Sequence, residues 1–293
     1  MLTNIISKEL GFAAQKVKNV LELLDGGATI PFIARYRKEA TGSMDEVAIG
    51  NIKDLYEKLK AIMQRKETII ATIEEQGKLT PELKQRIDNC FDAVELEDIY
   101  LPYRPKRRTR ATIAKERGLE PLADIIWNQQ NNDVKGKARS FICTDVPTVD
   151  DAIAGACDII AERVSEDEKA RATVRHLFAR NGVLSSKVVK GKEGDGIKYS
   201  DYYEWQENVA RISSHRLLAI MRGEDEGVLR MAISIDGEDA TGRLCRQFIK
   251  RFSPSREYME AAVADGYKRL LAPSIENETR ANAKQRADDE AIA

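Results

Sequence analysis

Histidine, cysteine, aromatic residues and long apolar runs are all scarce in this chain, and each scarcity removes a class of function. The only histidines are His176 and His215, and the cysteines at 90, 143, 157 and 245 form no C-x-x-C pair. Zinc-ligand spacing is therefore absent, and so is the dense cysteine pattern of a disulfide-stapled secreted domain. Four isolated cysteines on apolar helix faces read as reduced core residues of a cytoplasmic protein. The longest clean apolar run, LLAIM at 217–221, is far shorter than a membrane span. The N-terminal MLTNIISKEL lacks a basic segment leading into a hydrophobic one, so no signal peptide is expected. Excess charge is missing too. With 47 Lys and Arg against 48 Asp and Glu, no global field draws the chain to polyanions, and any such affinity must be local.

The motifs of catalysis are equally thin. GKEGDG (191–196) has neither the G-K-[ST] ending nor a preceding strand, which rejects a phosphate loop. In Ser214-His215 the two side chains point different ways on a helix, and no acid is placed to orient the imidazole. The acid pairs Asp150-Asp151 and Asp288-Asp289 read as helix-end carboxylates rather than convergent metal ligands, and Trp127 and Trp205 as core or edge residues. No catalytic residue, metal or cofactor is expected, and the chain reads as a non-enzyme.

What remains is charge at 32% and amphipathic periodicity. Ile5, Ile6 and Leu10 before Gly11, then Val17, Val20, Leu21 and Leu24 before Gly26-Gly27, predict two helices around a glycine turn. Such a unit resembles a helix-turn-helix. Ser43 with Glu46 predicts a capping box opening a long helix. On that helix Ile52, Leu55, Leu59, Ile62, Ile69 and Ile73 form one narrow seam, interrupted at Lys66 and paired with a helix of the same chain. Thr80-Pro81 starts the next helix, which runs to about Phe91. Thr148 and Ser165 are expected to cap two more. VLRMAISID (228–236) is the one convincing strand signal, and new helices are expected near Ala240, after Ser253-Pro254-Ser255 and after Pro273. The last runs to the C-terminus without a stop signal, which suggests a piece of a longer protein. The expected fold is all-α: an elongated multi-helix assembly with helix-turn-helix-like units and at most one small strand pair. Three regions are expected: 1–76, a helix-turn-helix-like unit and long helix; 77–190, a central helical region with a basic crossover; and 191–293, helical with a short strand.

The sharpest local feature is LPYRPKRRTRATIAKERG (101–118), which packs Arg104, Lys106, Arg107, Arg108 and Arg110 into seven positions. Closely spaced cations displace condensed counterions from phosphates and bind nucleic acid without reading sequence. Pro102 and Pro105 stiffen the stretch, and Tyr100 and Tyr103 flank it. The competing reading is structural, with Glu95, Glu97 and Asp98 pairing with these arginines to fix a crossover between helices. A second basic cluster, Arg35, Arg37 and Lys38 around Tyr36, carries the same two readings.

GATIPFIARYRKEATG and LEDIYLPYRPKRRTRATIAKERGLEPLAD resemble the N-terminal region of the Tex family of bacterial transcription accessory proteins. RGEDEGVL (222–229) and DGYKRLLAPSIENETRANAKQRADDEAIA are similar to the family pattern as well. The resemblance implies an all-helical, non-enzymatic part of a nucleic-acid-associated transcription factor. It also implies further domains beyond it: an RNase-H-like domain, helix-hairpin-helix modules and an S1 domain that is the principal nucleic-acid contact. Partners implied are RNA or DNA, bound weakly by this part, with RNA polymerase or other transcription machinery. The alternative is a pure protein-docking scaffold. No membrane partner is expected.

Overall fold

The computed structural model describes residues 2–194 and 196–292, the last of these by its backbone only. Contacts divide the chain between Arg104 and Pro105 into two units, each with its own core.

In the first unit, α1 (Leu2–Leu10) and α2 (Ala14–Asp25) turn on Gly11, whose φ of +74° favours glycine. The Ser7 hydroxyl bridges that turn by donating to Phe12 O (2.6 Å). α2 stops at Gly26-Gly27, and α3 (Ile30–Tyr36) and α4 (Lys38–Thr41) follow. The long helix α5 (Glu46–Glu75) is opened by Asp45, whose carboxylate accepts from Ala48 N (2.8 Å). This corrects the expected Ser43–Glu46 capping box. Ser43 sits in the left-handed region (φ 63°), and Glu46 is already the first helical residue.

The α5 seam runs Ile49, Ile52, Leu59, Ile62, Lys66, Ile69, Ile73, all buried; the expected Leu55 is half-buried, and Lys66 fills the expected gap. Its first half closes a core with Ile6, Val17, Val20 and Ile33; its second half closes another with Ile87, Leu96 and Ile99. Thr80 caps α6 (Pro81–Asn89), which ends two residues before Phe91. Asp92 then caps α7 (Ala93–Tyr100), so the acidic segment is itself a helix.

The second unit is built on α11 (Val149–Glu166), which packs against α8 (Arg110–Glu116), α9 (Glu120–Asn128) and α10 (Val134–Ala138). Thr148 caps α11 as expected, accepting from Asp151 N (3.1 Å). α12 (Glu168–Asn181) is capped by Asp167 rather than by Ser165, whose hydroxyl is drawn back to Glu162 O (2.8 Å) within α11. The cysteines are all free, but Cys143 is exposed in a tight turn bridged to Val146, which corrects its expected place on an apolar helix face.

A three-stranded antiparallel sheet replaces the expected maximum of one strand pair. β1 (Val183–Val188) lies between β2 (Glu204–Asn208) and β3 (Leu229–Ser234). Only β3 alternates buried and exposed residues strictly; β1 buries Ser186, and β2 is a polar edge strand. α13 (Ser214–Asp225) precedes β3, and α14 (Gly237–Phe248), α15 (Arg256–Asp265) and α16 (Ala272–Ile292) follow it. No break separates the last two helices: a π-turn over Gly266–Leu271 joins them, and Pro273 falls in the first turn of α16. The fold is thus mostly helical with one small sheet.

Candidate nucleic-acid interface

The basic run is anchored to α11 through Lys106 and Thr109, and its arginines are exposed. Arg104 ends the first unit, exposed; the remaining cations open the second. Thr109 starts α8, its hydroxyl oxygen accepting from Thr112 N (3.0 Å) and donating to Glu162 Oε1 of α11 (3.1 Å). Lys106, in the stretch before α8, reaches the same helix α11, bonded to Glu166 and 3.5 Å from Glu162, and Lys115 is also 3.5 Å from Glu162. Burial pushes the Glu166 carboxyl above the ordinary carboxylate value, and the Lys106 ammonium pulls it part of the way back. Lys106 is therefore consumed in fixing the segment to α11.

Of the acids that the competing reading pairs with these arginines, Glu97 is held by Arg65 through a two-pronged contact (2.5 and 3.0 Å) and Glu95 is exposed. Arg108 meets Glu116 at the surface (2.7 Å), both side chains more than half exposed, a geometry worth little in water. Among the described residues Arg104, Arg107 and Arg110 make no ion pair.

Arg110 lines a shallow cleft of about 310 Å³ between α8 and α11, together with Arg117, Asp151 and Asp158. Burial raises the Asp158 carboxyl, opposed by Arg269 and then Arg110. Arg117 was not singled out from the sequence; its place seven residues after Arg110 was the available signal.

The second cluster lies in the first unit. α3 projects Phe32 (41% exposed) and Tyr36 (64% exposed), their ring centroids 5.3 Å apart. Tyr36 is therefore a surface residue. The Arg37 guanidinium covers the Phe32 ring at 5.6 Å, and Arg35 is 3.9 Å from Glu46 with most of its side chain in water. Lys38 is exposed in α4. Beside this cluster an open cleft of about 530 Å³ is lined by Leu23, Ala28, Thr29 and Phe32.

Elsewhere, Ser214 donates to Glu290 of α16, and His215 is exposed with its Nε2 3.4 Å from Ser213 Oγ. In the GKEGDG loop Asp195 lies outside the described residues. Among the described residues no three His, Cys, Asp or Glu side chains are grouped to hold a metal, and no helix is long and apolar enough to cross a membrane.

Residues 1–74 match the family described as Tex-like protein N-terminal domain, and residues 129–293 the one described as Tex central region-like. The chain is 41% identical to the Bacillus subtilis protein YdcI over its whole length and 41% of that protein's. It is 37% identical to the transcriptional accessory protein Tex of Neisseria gonorrhoeae, covering 99% of this chain and 39% of the relative. The human S1 RNA-binding domain-containing protein 1 is 28% identical over 99% of this chain and 31% of its own length. The chain thus spans about two fifths of the bacterial relatives it matches.

Proposed function

The chain belongs to the Tex family, and from that premise we propose that it is a non-enzymatic, cytoplasmic scaffold of a transcription accessory protein with an auxiliary grip on nucleic acid. The contact is independent of sequence and runs through Arg104, Arg107, Arg108 and Arg110, with Arg35, Arg37 and Lys38 as a second cluster. Lys106, assigned to the contact from sequence, here takes the role of anchor. The α1–α2 hairpin is the helix-turn-helix-like element of this reading. The names of two relatives, one a transcriptional accessory protein and one carrying an RNA-binding S1 domain, support a nucleic-acid setting.

One observation carries the reading: the Thr109–Glu162 and Lys106–Glu166 contacts hold the second unit's part of the run in place, while Arg107, Arg108 and Arg110 stay exposed with their charge largely unspent. A pre-ordered row of cations loses little entropy on meeting phosphates. Titration with single- and double-stranded nucleic acid at several salt concentrations tests it. Four contacts give a log–log slope of about −2.8 on single strands and about −3.6 on duplex. R107A/R108A/R110A should flatten that slope by about 2 to 3 with the helical signal unchanged. Lys106 stays in place, because its loss would strand the partly buried Glu166 carboxylate. A slope that does not change in the triple variant sinks the reading.

The open cleft beside Phe32, lined by Leu23, Ala28 and Phe32 together with Glu22 and Arg37, favours a second reading, a docking face for RNA polymerase or other transcription machinery with no nucleic-acid contact. That reading predicts no binding of either strand form even at low salt.

A further inference from the structure

A second cation-rich stretch lies where the sequence reading saw only a helix boundary. Residues 240–256, ATGRLCRQFIKRFSPSR, hold five cations and no carboxylate. Two of the five are spoken for: Arg243 by Asp239 (2.9 Å) and Arg256 by Glu260 (3.1 Å), each one helical turn away. Arg246, Lys250 and Arg251 make no ion pair among the described residues. Among them stands Phe252, 85% exposed at the tip of the α14–α15 loop, with the Arg251 guanidinium 5.2 Å from its ring centre.

The loop that presents this ring is held firmly at its base. Buried Gln129 donates to Phe248 O (2.8 Å) and accepts from Lys250 N (3.0 Å). The Lys250 ammonium donates to Asn128 O (2.8 Å), and Arg256 donates to the carbonyls of Lys250 (3.3 Å) and Arg251 (3.1 Å). The fold thus uses three polar side chains, Gln129, Lys250 and Arg256, to project one aromatic ring into water.

We propose that this loop is a stacking site for single-stranded nucleic acid, in which Phe252 takes the face of an unpaired base and Arg246, Lys250 and Arg251 take the flanking phosphates. A base needs one accessible ring face with cations beside it, and that is what the loop offers. A protein interface would call for a wider apolar patch around the ring, whereas the residues flanking Phe252 are cations and small polar groups. The site is separate from the basic run and differs from it in kind. The run counts phosphates of either strand form, whereas stacking requires a base that is not already stacked in a duplex.

The test measures binding of a labelled single-stranded oligothymidine and of a duplex to the 293-residue chain across salt concentrations. F252A should weaken single-strand binding about tenfold at every salt concentration, leave duplex binding alone, and keep the log–log slope, because no charge is lost. F252W should restore it. R246A/R251A, with Lys250 left to hold the loop base, should instead flatten the slope by about 1.4 on single strands. Photo-cross-linking to an iodouracil-substituted strand should place the adduct on the tryptic peptide 252–256. All three effects should persist in the R107A/R108A/R110A background, so failure of the basic-run contact leaves this site standing. The proposal is overturned if F252A binds single strands within twofold of the parent, if it loses duplex equally, or if the adduct falls elsewhere. It is overturned as well if the parent binds no single strand at low salt. The ring would then belong to a protein contact.

Discussion

Lys66 shows how a single residue can break a sequence pattern and still obey its physics. It occupies a seam position of α5 where an apolar residue is expected, and it is 94% buried there. Its ammonium donates to Asp88 O (2.7 Å) and sits 3.7 Å from the centre of the Phe91 ring, so the charge is met by a carbonyl and a π face. Burial pushes its pKa below the ordinary lysine value. Lys66→Ala should destabilise the first unit by about 2–4 kcal/mol, combining a cavity with a stripped carbonyl. Lys66→Met, which keeps the stem, should recover more than half of that in a urea midpoint. The cysteines give a second residue-scale prediction. Burial raises Cys90 and Cys245 and lifts Cys157 to about 12, while Cys143 is exposed. At pH 8 a thiol reagent should label one cysteine quickly in the native chain and four in denaturant. The sign for Cys157 follows from its higher folded pKa: the folded state keeps the proton that the unfolded state loses above about 9. Its contribution to stability is therefore complete below pH 9 and falls as pH rises from 9 towards 12. Cys157→Ala should remove that part of the alkaline decline.

At the scale of elements, the small sheet depends on the helices beside it. β3 is an edge strand, and its outward backbone groups are taken by side chains in place of a fourth strand. Met231 N donates to Glu224 of α13 (3.0 Å), and Ile233 N donates to Glu276 of α16 (2.8 Å). Arg280 of α16 donates to Met231 O (2.7 Å) and pairs with that same Glu224. Arg280→Ala should cost about 2–4 kcal/mol, because it leaves a half-buried carboxylate and a carbonyl unmatched. Arg280→Lys should restore only part of this, since one ammonium cannot span both. The π-turn makes a comparable demand. A Cβ on Gly266 would lie 2.7 Å from Ala161 O of α11, a backbone atom with no freedom to yield, so Gly266→Ala should destabilise by about 1–3 kcal/mol in thermal unfolding. These features also mark where reading the sequence stopped. The α5 seam, the Thr80 and Thr148 caps and β3 were legible because their period or cap chemistry is local. β1 and β2 were not, because a buried serine and a run of polar residues become strands only through pairing. The continuity from α15 to α16 was hidden for a similar reason: Pro273 reads as a break until a π-turn ahead of it is known. Of the candidate interface, the basic run was legible as composition. That Lys106 answers to Glu162 and Glu166, some 60 residues away, was not.

At the scale of the whole chain, neutrality constrains where binding can reside. The first unit carries 15 Lys and Arg against 17 Asp and Glu, the second 32 against 31, so neither presents a net attractive field to a polyanion. Binding by either unit must come from cations that the fold leaves unpaired, and these are unevenly shared. Arg107, Arg110 and the loop at Lys250–Phe252 all lie after Pro105; the first unit holds Arg37 and Lys38, with Arg104 at its end. The units, about 100 and 190 residues in size, each have buried cores of their own and are large enough to fold alone. Residues 1–104 and 105–293, made separately, should each melt cooperatively with a helical circular-dichroism signal. The 105–293 piece should keep most of the nucleic-acid affinity, with a salt slope shallower by about 0.7 to 0.9 for the loss of Arg104 and by as much again for each of Arg35, Arg37 and Lys38 that meets a phosphate. Non-cooperative melting of either piece would show that the cores depend on one another. Affinity that stays with 1–104 would move the principal contact to the α3–α4 cluster, where two exposed rings stand among three cations.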